Sequence, residues 1–65
     1  MLDKKDAGRR VRLIYASTRT DLKSGDTGTY EFALRGMSYT HHCIKWDNGS
    51  RTTLTEGMDE FEFTS

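Results

Sequence analysis

Three stretches of the sequence alternate apolar and polar residues with a period of two, and this alternation restricts the chain to β-structure. The first stretch begins at Arg9 and places Val11 and Leu13 on the same side. The second covers residues 29–35, and the third covers residues 39–46. A period of two is typical of a strand with one buried face. No window combines sustained helical spacing with capping residues, so we expect an all-β domain.

Glycine-containing turns separate these stretches. The segment 47–50 reads Asp-Asn-Gly-Ser, and an Asn-Gly pair between alternating stretches is typical of a two-residue type I′ turn. Residues 51–55 then form the return strand, and residues 58–63 give a short closing strand. Residues 24–28 are predicted to form another turn. About five short strands, with the Asn-Gly hairpin between the third and fourth, predict a small antiparallel barrel.

The order of these motifs resembles that of a known family. The motifs are Gly8-x-Arg10-Val11-x-Leu13-Ile14, Leu22-Lys23-x-Gly25-Asp26-x-Gly28-Thr29, Ile44-Lys45-Trp46-Asp47-Asn48-Gly49-Ser50 and Gly57-x-Asp59-x-Phe61-Glu62. They are similar to those of small SH3-like barrels from bacteria and their phages, a family described only as a domain of unknown function. The resemblance covers about residues 8–63. It implies an SH3-like barrel domain over residues 9–63 and no particular chemistry.

A chain of 65 residues buries only about 60% of its unfolded surface, so we expect one small domain with a small core. Residues 1–8 are polar and lack periodicity, which predicts a flexible N-terminal tail. Leu22 is the single large apolar residue of a polar loop at residues 16–23 and is predicted to fold back over the core. The expected core consists of Val11, Leu13, Phe32, Ile44, Trp46, Leu54 and Phe61.

The composition excludes several classes of protein. Ten basic and ten acidic residues give a formal charge of zero, so no overall field selects a nucleic acid or an acidic membrane. The single cysteine cannot form an internal disulfide. The sequence has no apolar run of about 18 residues and no apolar segment near Met1. We therefore expect no membrane span, no signal peptide and a location in a reducing cytoplasm, which is that of a bacterium if the origin is the one that the resemblance implies.

The segment His41-His42-Cys43 is the strongest candidate for a chemical site. Side chains on a strand alternate between faces, so only His41 and Cys43 can share a site. Two ligands are too few for a metal ion, and Cys43 lies on the opposite face from His42, which therefore cannot activate it. We expect no enzymatic activity, no metal and no cofactor.

Charge is distributed unevenly along the chain. Residues 1–35 contain eight basic and five acidic residues, a balance of +3, whereas residues 36–65 contain two and five, a balance of −3. Such an asymmetry predicts either a footprint for phosphates or pairing of the arginines with the acidic C-terminal segment. The candidate basic patch consists of Arg9, Arg10, Arg12, Arg19 and Lys23.

By elimination, the sequence predicts a non-catalytic binding module, of the phage or bacterial origin that the resemblance implies, that docks onto a host or self protein. Binding residues favour loops on a rigid scaffold, so we expect the partner at the loops 16–23 and 36–40. The candidate residues there are Thr18, Asp21, Met37 and Tyr39. Two alternatives stay open: a KOW-like module that binds nucleic acid or a transcription complex, and an obligate oligomer with an interface or pore function.

Overall fold

The computed structural model describes residues 2–17 and 22–65, and every regular element in these ranges is a β-strand. The strands are β1 (Leu2–Asp3), β2 (Arg10–Tyr15), β3 (Thr27–Arg35), β4 (Thr40–Trp46), β5 (Thr53–Thr55) and β6 (Glu60–Phe63). All ladders are antiparallel, in the order β5-β4-β3-β2-β6, and β1 also pairs with β3. The predicted all-β antiparallel class is confirmed. The sheet has six strands rather than five, and it is not closed because β5 and β6 lie at its two ends.

The N-terminal segment differs from the flexible tail predicted for residues 1–8. Leu2–Asp3 form β1 along the C-terminal half of β3. The Asp3 carboxylate accepts a hydrogen bond from the Arg35 side chain at 3.3 Å, and Gly8 N–H donates to a β3 carbonyl at 2.8 Å. A strand of two residues is too short to show a period of two, so the sequence pattern could not indicate it.

The hairpin between β4 and β5 lies where the sequence predicts it, but its turn is different. Gly49 N–H donates to Trp46 O at 3.1 Å, and Trp46 N–H donates to Ser50 O at 3.2 Å. Gly49 has a φ of 92°, whereas Asn48, like every described non-glycine residue, has no positive φ. The predicted two-residue type I′ turn is therefore wrong, because the loop contains three residues and ends in a glycine bulge. The Asn48 side chain instead accepts a hydrogen bond from Ser50 N–H at 2.9 Å.

The core lies on the inner face of the sheet. Trp46 is 1% exposed, and its indole N–H donates to Thr52 O at 3.0 Å. Leu22 belongs to this core, as predicted. Phe32 and Phe61 were expected in the core and are only half-buried. The buried residues are Val11, Leu13, Leu22, Tyr30, Ala33, Ile44, Trp46 and Leu54.

A β-bulge in β3 explains the position of Phe32. The pairing of β3 with β4 is shifted by one residue at Glu31, so the alternation of side chains changes there. Tyr30 before the bulge and Ala33 after it are both buried, although they are three residues apart. Phe32 and Leu34 consequently lie on the outer face. The unbroken alternation in the sequence predicts that they face inward, and this prediction is wrong.

Candidate binding surfaces

The first candidate surface is the basic patch predicted from the sequence. Arg10 and Arg12 both lie on the outer face of β2, and each pairs with a carboxylate. Arg10 Nη1 donates to Asp47 Oδ1 at 3.0 Å, and Arg12 Nη2 donates to Glu62 Oε2 at 2.6 Å. Because Glu62 belongs to β6, the basic first half of the chain pairs here with its acidic C-terminal segment. The charges of both guanidinium groups are therefore already paired within the molecule.

The contacts of Asp47 connect three elements of this face. Its carboxylate accepts hydrogen bonds from both terminal nitrogens of Arg10 and from Thr27 Oγ1, the latter at 2.7 Å. Arg10 also donates to Thr29 Oγ1 at 2.9 Å. The hydrogen bonds from Arg10, and then that from Thr27, lower the pKa of Asp47 from 3.8 to about 2. The ionised form of Asp47 therefore favours the folded state.

We predict that Asp47→Asn flattens the acid limb of the stability profile. A carboxyl whose pKa is lowered by folding contributes stability above its unfolded pKa of 3.8, and this contribution is lost as the pH falls towards about 2. The urea midpoint of the wild type should therefore fall more steeply between about pH 4 and pH 2 than that of Asp47→Asn. Arg10→Met removes the partner and should flatten the same limb. Parallel profiles for all three proteins would contradict this role of Asp47.

The remaining members of the predicted basic patch lie elsewhere. The Arg9 guanidinium lies 3.9 Å from the centre of the Phe63 ring and donates to Asp6 Oδ1 at 3.0 Å. Lys23 is exposed in the loop before β3. Arg19 lies outside the described residues, as do the predicted loop residues Thr18 and Asp21. The structure therefore does not bring the described members together as a single patch.

A second surface lies on the outer face beyond the bulge. Leu2 is directly opposite Leu34, and Phe32 is directly opposite Cys43. We call the surface formed by Leu2, Phe32, Leu34, Tyr39 and Cys43 the outer apolar patch. Leu2, Leu34 and Tyr39 are 50%, 44% and 57% exposed. Contiguous apolar patches on the surface of a small domain often mark protein interfaces, so this surface is a candidate protein interface.

The predicted loop residues Met37 and Tyr39 adjoin this patch. Met37 is fully exposed in the loop between β3 and β4. The Tyr39 ring lies 6.4 Å from that of His41, which is directly opposite Leu34. The sequence thus indicates one end of the patch, whereas Leu2, Phe32 and Leu34 were not predicted to belong to a surface.

A third surface is an open groove of about 450 Å³ between β4 and β6. Its lining residues, which define the groove below, are His42, Glu56, Asp59, Glu60, Phe61 and Phe63. The aromatic rings are in mutual contact: those of His42 and Phe61 are 5.0 Å apart, and those of Phe61 and Phe63 are 5.4 Å apart. Of these residues, only His42 was considered from the sequence as part of a chemical site, and that site was rejected.

His42 and Tyr30 form a polar pair beneath this groove. Tyr30 Oη and His42 Nδ1 are joined by a hydrogen bond of 2.7 Å. Burial lowers the pKa of His42 below 6.5 and raises the pKa of Tyr30 above 10.0. Both side chains are therefore uncharged near neutral pH, and the floor of the groove carries no charge of its own.

The carboxylates around the groove differ in their contacts. Asp59 Oδ1 accepts hydrogen bonds from the Ser17 N–H at 2.6 Å and the Ser17 hydroxyl at 2.9 Å, and Oδ2 accepts one from Thr55 N–H at 2.8 Å. Burial opposes ionisation of Asp59, but these hydrogen bonds outweigh it and lower its pKa. Glu56 and Glu60 have no side-chain hydrogen bond or ion pair within the described residues. Both are exposed at the rim.

Within residues 2–17 and 22–65, no group of three or more His, Cys, Asp or Glu side chains is arranged to hold a metal ion. The same ranges contain no helix long and apolar enough to cross a membrane. Comparisons of the chain with protein-family models, with curated proteins and with solved structures find no match. The resemblance to small SH3-like barrels therefore stays a prediction from the motifs.

Proposed function

We propose that this protein is a non-catalytic binding module, of phage or bacterial origin, that docks onto a protein partner in the bacterial cytoplasm. The observation that carries this proposal is the outer apolar patch, which the bulge in β3 turns towards solvent. A β-bulge often redirects side chains at functional sites, and an uncovered apolar surface is favoured at protein interfaces. Tyr39 and Phe32 add aromatic area, which is enriched at interfaces.

The charges of the molecule favour a protein partner over nucleic acid. Arg10 and Arg12, the two cations most suited to follow a phosphate backbone, already pair with Asp47 and Glu62. A phosphate would have to compete with Asp47 and Glu62 for these guanidinium groups. The alternative of a KOW-like nucleic-acid module therefore lacks a free basic strip among the described residues of the sheet's outer face.

The first step of the test is photocrosslinking from the patch in a bacterial lysate. A benzophenone amino acid replaces Tyr39 in one variant and Tyr15 in a control, since these residues are 57% and 58% exposed. We expect the probe at Tyr39 to form a discrete adduct with another protein and the probe at Tyr15 to form none. Absence of an adduct, or the same adducts from both positions, would contradict the proposal.

The second step measures the affinity for the partner identified in that adduct. Leu34→Thr should weaken binding about tenfold or more, whereas Ile14→Thr should change it less than about twofold. The two residues are a matched pair, because both are strand residues 44% exposed and only Leu34 belongs to the patch.

Two other outcomes would replace the proposal with an alternative. An adduct of twice the chain mass would favour an obligate oligomer that covers the patch with a second copy. Binding of labelled DNA or RNA that falls steeply between about 50 and 200 mM salt would favour a nucleic-acid module.

A further inference from the structure

The groove combines an aromatic floor with two carboxylates, those of Glu56 and Glu60, that have no hydrogen-bond donor or cation among the described residues. Every other described aspartate or glutamate side chain accepts a hydrogen bond or forms an ion pair. Glu56 and Glu60 do neither, and both lie on the groove. His42 and Tyr30 are uncharged near neutral pH, and Arg9, which lies on Phe63, pairs with Asp6, so no described cation pairs with the carboxylates of the rim. A ligand with positive charge and an apolar body complements this surface.

The chain itself demonstrates how a guanidinium fits the groove's aromatic floor. Arg9 lies over the ring of Phe63 at 3.9 Å from its centre, a distance typical of a cation–π contact. Phe61 lies edge-on to Phe63 and has no cation over its ring within the described residues. The aliphatic stem of an arginine or lysine can pack on Phe61 while its charged head reaches the rim.

The backbone beside the groove is a free strand edge. Thr64 N–H donates to Arg10 O at 2.8 Å, so this residue directs its backbone groups towards β2. Backbone groups alternate in direction along a strand, and those of Phe61 and Phe63 consequently point away from β2. Neither residue uses them in a hydrogen bond to another described segment on that side. The edge of β6 can therefore accept a further strand.

At the opposite edge of the sheet, the backbone at the C-terminal end of β5 is already hydrogen-bonded. Thr55 N–H donates to the Asp59 carboxylate at 2.8 Å. Thr55 O accepts hydrogen bonds from Met58 N–H at 3.1 Å and from Asp59 N–H at 2.9 Å. Because the turn after β5 satisfies this backbone, β6 is the edge on which a ligand strand can pair.

We infer that the groove binds an extended segment of a protein with arginine or lysine at every second position, added as a strand to the edge of β6. Strand addition supplies affinity through main-chain hydrogen bonds, while alternate side chains supply specificity. The side chains that face the groove lie on the aromatic floor, and their charges pair with Glu56 and Glu60. This site is on the other face of the sheet from the outer apolar patch and does not depend on it.

The test uses synthetic peptides of about eight residues, long enough for one strand. One peptide alternates arginine and threonine, and a second of the same composition places its arginines consecutively. By fluorescence anisotropy, we expect the alternating peptide to bind about tenfold more tightly than the consecutive one. Equal affinities would show non-specific charge attraction and would overturn the inference, as would absence of binding.

Two double variants of equal net charge distinguish binding at the groove from long-range electrostatic attraction. Glu56→Gln with Glu60→Gln should weaken the alternating peptide about tenfold. The control, Glu31→Gln with Glu62→Gln, removes two carboxylates that pair with Arg51 and Arg12, and should change affinity less than about twofold. Circular dichroism melts verify that each double variant folds. Equal losses in both double variants would contradict the groove as the site.

Backbone methylation tests the strand pairing itself. Two versions of the alternating peptide carry N-methyl groups on alternate amides, one on the arginines and one on the threonines. A single strand edge uses every second N–H, so one version should bind and the other should lose about tenfold or more. Leu34→Thr should leave binding unchanged, so a failure here is distinguishable from a failure of the patch. Similar losses in both methylated versions would overturn strand addition.

Discussion

Trp46→Ala is expected to leave most of the protein unfolded at 25 °C. Trp46 is the largest fully buried side chain in the described residues, and its N–H satisfies Thr52 O. Truncation of a buried aromatic residue to alanine costs about 3–5 kcal/mol. A chain of 65 residues has a total stability of only about 3–10 kcal/mol, and small domains lie at the low end of that range. The loss is therefore comparable to the whole free energy of unfolding.

Urea and thermal denaturation, followed by far-ultraviolet circular dichroism, measure this loss. Trp46→Phe is the graded control, because it keeps an aromatic ring in the core but leaves Thr52 O without its indole donor. It should fold with a lower midpoint than the wild type. Leu34→Ala, on the exposed outer apolar patch, should cost less than about 1 kcal/mol. A cooperative melt of Trp46→Ala close to that of the wild type would contradict the central role of Trp46.

The alternation in the sequence predicts strands well where a strand has one buried face and contains no bulge of its own. β4 is such a strand: Ile44 and Trp46 are buried, and His42 lies on the same face, as predicted. The pairing of the first long strand with the acidic C-terminal strand was one of the alternatives raised by the charge pattern. Arg12 and Glu62 form that contact. The alternation in β4 is a local pattern, and the pairing of the two strands follows from their opposite charges, so both can be predicted from the sequence.

The bulge at Glu31 could not be predicted, because nothing in the residue type marks it. The sequence places Tyr30, Phe32 and Leu34 in unbroken alternation, which a regular strand would bury together. The observed register instead buries Ala33, a small side chain that fits between neighbouring strands. This register of β3 is determined by packing against β4, which involves residues distant in sequence. Its consequence is the outer apolar patch.

The groove was missed for a related reason. Glu60 and Glu62 are chemically equivalent in the sequence, where both belong to the acidic C-terminal segment. Pairing of β6 with β2 gives Glu62 an arginine partner and leaves Glu60 at the groove without one. The alternation of Phe61 and Phe63 with these glutamates was the available signal. It indicates a half-buried strand but not that the edge of this strand is free.

Gly28→Ala is expected to destabilise the domain by about 1–3 kcal/mol or more. Gly28 was predicted to belong to a turn, but it lies in β3, directly opposite Trp46. A Cβ added there would lie 2.8 Å from Lys45 O and 3.0 Å from both Ile44 Cγ2 and Trp46 Cα. Two of these three contacts are with backbone atoms of β4, which cannot move without disturbing the ladder.

The sign of this effect distinguishes a crowded glycine from an unstrained glycine that has space for a side chain. At an unstrained position with space for a side chain, Gly→Ala stabilises a protein by about 0.4–1 kcal/mol, because the unfolded chain loses conformational freedom. Gly28 has no positive φ, so backbone strain does not enter, and any loss measured by urea denaturation reports the contact with β4. Gly36→Ala is the control, because its nearest neighbour would be Tyr39 O at 3.3 Å and its φ is also not positive. Its cost should be clearly smaller than that of Gly28→Ala. A stabilising Gly28→Ala would mean that β3 and β4 lie further apart than the packing of Trp46 requires.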